Sequence, residues 1–87
     1  MAGLQVEGFL TLIDCAKGMD LHVRTDRGIV LLHSDMPSRI NFVSYVSTVK
    51  DSIVCGAVTP ELHVIVVYKR TTDPAYLGEP LAVEFRP

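Results

Sequence analysis

Residues 62–68 (LHVIVVY) are aliphatic or aromatic throughout except for His63, and most of them are β-branched. A run this short and this branched reads as a β-strand whose two faces both seek cover, which places it in the middle of a sheet. The wider stretch 52–70, with Cys55-Gly56 and the Thr59-Pro60-Glu61 corner, is the piece around which the other segments are expected to wrap. Alternation puts Leu62, Val64, Val66 and Tyr68 on one face and His63, Ile65, Val67 and Lys69 on the other. The first set is expected to point into the core, with the Tyr68 hydroxyl reaching the rim. The second leaves Ile65 and Val67 apolar between two polar residues. A cover is therefore expected for that outer face, either the 71–79 loop, a second copy of the chain or another domain of a parent protein.

Other segments read as strands joined by turns. Residues 3–15 form the first, with a bulge or bend expected at Gly8. Gly18 is expected at positive φ in the turn that follows. Residues 20–25 alternate cleanly, Leu21 and Val23 inward against His22 and Arg24 outward. Asp26-Arg27-Gly28 closes a hairpin as a type I turn with Gly28 left-handed, and 29–33 returns as the third strand. Pro37 breaks the pattern, leaving room for a single helical turn from Ser34 or Asp35. Residues 40–45 give a fourth strand, 46–51 a turn, 52–55 a short fifth strand, and 80–86 the last after the 71–79 loop. No amphipathic helix or internal repeat is evident. The fold class is all-β: a small antiparallel β-barrel or sandwich of six to seven short strands, SH3-like or OB-like.

At 87 residues the chain is one small β domain, 1–87, self-contained or a module of a larger protein. Hydrophobic residues make up 48% of it, far from the composition of a disordered chain. The formal net charge is −2, with eight basic residues scattered among ten acidic ones, which argues against a phosphate-driven nucleic-acid partner. No signal peptide or bilayer-length apolar run is present, so no membrane association is expected and the compartment stays open.

Cys15 and Cys55 each end a strand and belong to no CxxC or Cys/His pattern. Three readings compete: buried reduced thiols, a disulfide closing a loop of about 40 residues and worth roughly 4 kcal/mol in the chain-entropy model, and, last, a catalytic or metal-ligating cysteine. His22, His33 and His63 show no metal-ligand spacing and read as surface histidines. No serine lies in a nucleophile elbow, no carboxylates pair at a catalytic spacing, and no phosphate-binding glycine loop occurs. No enzyme activity, metal or cofactor is therefore expected. Phe42 and Tyr68 read as core, while Tyr45 and Tyr76 are free to contact a partner.

Three stretches, GFLTLIDC with Leu21-His22-Val23, Cys55-Gly56 before a Val-x-Val-x-Tyr strand, and GEPLAVEF over 78–85, resemble a small uncharacterised β module found near the C-terminus of larger bacterial proteins, some of them exported. The resemblance implies an accessory domain and carries no activity to transfer. The expected function is a non-catalytic accessory or protein-interaction module, with His63, Ile65, Val67, Tyr45 and Tyr76 as its surface. The alternative is an OB-like single-stranded nucleic-acid-binding domain.

Overall fold

The computed structural model describes residues 4–44 and 55–86. The expected turn over 46–51, the strand over 52–55 up to Cys55, and Tyr45 lie outside them. Six strands form one sheet: β1 (Leu4–Asp14), β2 (Met19–Thr25), β3 (Gly28–Ser34), β4 (Asn41–Ser44), β5 (Gly56–Lys69) and β6 (Glu79–Phe85). Their order across the sheet is β3-β2-β1-β5-β6-β4, so β1 and β5 hold the centre. The all-β expectation and the central place of the 62–69 strand are both realised. Among the described residues, no helix is long and apolar enough to cross a membrane.

The β2–β3 hairpin follows its turn chemistry. Thr25 pairs with Gly28, and the register then runs without interruption to Met19 opposite Ser34. Gly28 has φ 114° and Gly18 φ 73°, conformations that glycine adopts without a Cβ penalty. Thr25 donates its hydroxyl to the Gly28 carbonyl at 2.8 Å and accepts from the Arg27 N–H at 3.1 Å, locking the turn. Leu21 and Val23 are fully buried, as their alternation requires.

β1 departs from simple alternation at Thr11, not at the expected Gly8. Leu10 faces Val23 while Leu12 faces His22, so Thr11 is the extra residue. Its hydroxyl donates to the His22 carbonyl at 3.2 Å. The bulge flips the parity of β1, which is how Leu10 and Ile13 both reach the core. Gly8 serves a different purpose: a Cβ there would overlap the Arg24 carbonyl and crowd Val23, so the glycine lets β1 and β2 close up.

Opposite Thr11, β5 makes a larger excursion. Leu10 pairs with Leu62 and Leu12 with Ala57, leaving 58–61 outside the ladder. Pro60 costs no ladder bond in that position, so the strand starts at Gly56 rather than after the Thr59-Pro60-Glu61 corner. Val58, released from the ladder, is buried in the core.

Two further expectations are corrected. The sheet is not purely antiparallel, because β4 runs parallel to β6, with Phe42 opposite Val83. The chain leaves β3 at one edge, turns through a single 3₁₀ turn (Pro37–Arg39) and joins the opposite edge, a crossing that reverses the usual sense of pairing. Nor do the strands form a closed barrel or two packed sheets. The sheet curls until its β3 edge meets the approach to β6, where the Leu77 N–H donates to the Leu31 carbonyl at 2.7 Å and the His33 N–H to the Gly78 carbonyl at 3.1 Å. That contact is a single bridge, Leu32 with Gly78, and not a ladder. Curling answers the problem that a flat sheet poses in so short a chain, since the concave face wraps around Val64, Val66, Val83, Phe85, Leu10 and Leu32.

Candidate functional site

Cys15 and Cys55 form a disulfide, their Cα atoms 5.8 Å apart. The bridge joins the end of β1 to the start of β5 beside the Leu12–Ala57 and Ile13–Gly56 pairs, so covalent and hydrogen-bonded registers coincide.

Sequence reasoning leaves the three histidines as separate surface residues, and for His33 the structure shows more. Asp20 lies opposite His33 in the hairpin register. The His33 Nδ1 bonds the Asp20 carboxylate, and Nε2 lies 2.8 Å from the Asp35 carboxylate. Tyr76 stacks on the imidazole at 4.9 Å between centroids, with its hydroxyl 3.5 Å from the second Asp20 oxygen. Hydrogen bonds to Asp20 first and Asp35 second raise the His33 pKa above the ordinary imidazole value, against a smaller opposing effect of burial. Tyr76 is pushed up as well, by desolvation and then by the charge on Asp20. The group lines an open recess of about 530 Å³ that Lys17 and Asp73 also border. Tyr76 is therefore half-buried against β3 instead of standing free. Both ring nitrogens of His33 are thus held by carboxylates within the molecule. Among the described residues, no group of three or more His, Cys, Asp or Glu side chains is placed to hold a metal ion.

On the convex face of the sheet, β5 presents His63, Ile65 and Val67 in a row, each partly buried. Ile65 lies between Glu7 and Glu84, and Val67 between Gln5 and Ala82. His63 sits beside Phe9, their ring centroids 5.4 Å apart, and the Arg24 guanidinium lies 5.1 Å over the other side of the Phe9 ring. His22 and His63 do not meet, because β1 separates their strands. The 71–79 loop does not cover Ile65 and Val67: its contacts run along β3 through Tyr76, Leu77 and Gly78.

Ion pairs ring this face. His63 Nε2 is 2.6 Å from Glu7, Lys69 Nζ 3.4 Å from Glu79, and Arg24 is paired with Glu61. Exposed pairs of this kind stabilise a fold little, and Glu84, directly beside Ile65 on β6, takes part in none of them.

No protein-family model matches this chain, and no curated protein or solved structure is significantly similar to it.

Proposed function

We propose that this chain is a non-catalytic interaction module whose contact surface is the convex face of the sheet centred on Ile65 and Val67, and that this face docks a second copy of the chain. The supporting observation is the arrangement of that face: two β-branched residues at the middle of the central strand, Phe9 near them at 40% exposure, and a rim in which His63, Arg24 and Lys69 are each paired with a carboxylate. An apolar centre inside a polar rim is the anatomy of a protein interface. Opposite charges paired in place lessen the like-charge repulsion when two identical patches meet, with Glu84 the carboxylate that the contact has to accommodate. The non-catalytic part of the reading is supported by the engagement of His33 at both nitrogens and of both sulfurs in the disulfide.

Sedimentation equilibrium across a wide concentration range tests this. The expected outcome is a mass that rises toward twice the chain mass, and an Ile65→Asp variant that stays folded as a monomer. A wild-type chain that remains monomeric at the highest concentrations removes the self-docking reading. The single-stranded nucleic-acid alternative would use Phe9 as a stacking platform, but Arg24 and His63 beside it are engaged by Glu61 and Glu7. Salt-sensitive binding of an oligonucleotide, lost in Phe9→Ala, would favour it over docking.

A further inference from the structure

The β3 edge carries a second surface, independent of the convex patch. In the β2–β3 ladder Thr25 and Gly28 close the hairpin, so pairs alternate outward from them, and the backbone groups of Ile29, Leu31 and His33 point away from β2. Two of these positions are occupied: the Leu31 carbonyl accepts from Leu77 and the His33 N–H donates to Gly78. The alternation leaves the Ile29 N–H, the Ile29 carbonyl and the Leu31 N–H turned toward the open edge.

The segment that could have continued the pairing turns away. Asp73 folds it into a side-chain-capped turn, accepting the Ala75 N–H on its carboxylate at 2.9 Å and the Tyr76 N–H on its carbonyl at 3.3 Å. The backbone of 73–76 is therefore engaged within its own turn, and a groove of about 480 Å³ separates it from β3. Ile29, Leu31, Pro74, Ala75 and Leu77 contribute apolar side chains to a groove whose lining is in larger part polar, and Arg70 lines it too. Ile29 is 60% exposed, the most exposed large hydrophobic residue among those described. Arg70 is exposed and takes part in none of the ion pairs described above.

We infer that this groove binds an extended acidic segment of another polypeptide, which adds as a short strand along 29–31, seats an apolar side chain between Leu31 and Pro74, and sets a carboxylate against Arg70. Unpaired edge groups supply main-chain hydrogen bonds, the walls select an apolar residue, and the single cation selects the acidic neighbour. Extended chains of neutral or basic composition would satisfy the first two features and not the third.

The test is a selection of displayed random peptides against the 87-residue chain with its disulfide intact, followed by amide NMR titration of the strongest synthetic peptide. The expected result is enrichment of an acidic residue next to a β-branched one, with the largest shifts at the Ile29 and Leu31 amides. Arg70→Glu should weaken binding at least tenfold while leaving the unfolding midpoint unchanged, and Arg70→Lys should recover much of it. Ile65→Asp should bind the peptide as the wild type does, which separates this surface from the convex face. No enriched sequence, peptides that shift the convex-face amides instead, or full affinity in Arg70→Glu would each overturn the proposal.

Discussion

The two faces of β5 share one backbone and nearly the same residue types, yet they live in different surroundings. On the concave side Val64 and Val66 have no exposure at all and Tyr68 is nearly buried, enclosed by Val83, Phe85 and Leu10. On the convex side Ile65 and Val67 are covered only in part, by the flanking side chains of β1 and β6. A curled sheet of six strands encloses one face, and among the described residues no second layer lies over the other. The lesson is that an apolar strand does not by itself announce a two-sided core. The second apolar face is either tolerated or used, and the proposed docking of a second copy is the case in which it is used.

The largest effect expected bears on the frame that holds both faces in place. Replacing Cys15 and Cys55 together by Ser should lower stability by roughly 4 kcal/mol, measured by urea unfolding under non-reducing conditions, because the bridge closes a long loop in the unfolded chain. A loss below about 1 kcal/mol would mean that the β1–β5 register holds without it. The faces themselves come next. Val66→Ala should cost about 1–3 kcal/mol through lost burial and a partial cavity, whereas Ile65→Ala, at concentrations that keep the chain monomeric, should cost less than about 1 kcal/mol. Equal losses at the two positions would erase the distinction between them.

How much of this was legible beforehand varies with the physics of each segment. The β2–β3 hairpin was readable from its turn residues, although the connection is one residue shorter than Asp26-Arg27-Gly28: Thr25 pairs with Gly28, and counting outward from that pair brings Asp20 opposite His33. The His33 cluster was within reach by that count, although the Tyr76 contact comes from a loop whose path no local rule sets. The Thr11 bulge and the excursion of 58–61 were not readable, since each exists only in relation to a partner strand distant in sequence. For the same reason Gly8 was mistaken for a bulge when its task is the close approach of Arg24. The parallel β4 depends on a crossing from one edge of the sheet to the other, which nothing in residues 40–44 encodes.

A smaller effect sharpens the contrast between the β5 faces and the β3 edge, where polar contacts around His33 add to the burial of Leu32. The folded-state pKa of His33 lies above its unfolded value, so its contribution is complete below about pH 6.5 and is lost as pH rises through the raised value. Wild-type stability should therefore fall over that window, and His33→Gln should show no such fall. A variant with the wild-type pH dependence would place the titration elsewhere.

The most direct test of the convex face as a docking surface is the access of a soluble paramagnetic probe to its methyl groups, read by NMR at low and high protein concentration. The account predicts that relaxation of the Ile65 and Val67 methyls falls markedly as concentration rises, while that of Ile29 on the β3 edge stays constant. If the Ile65 and Val67 methyls remain as accessible at high concentration as at low, the face docks no second copy and the central claim is wrong.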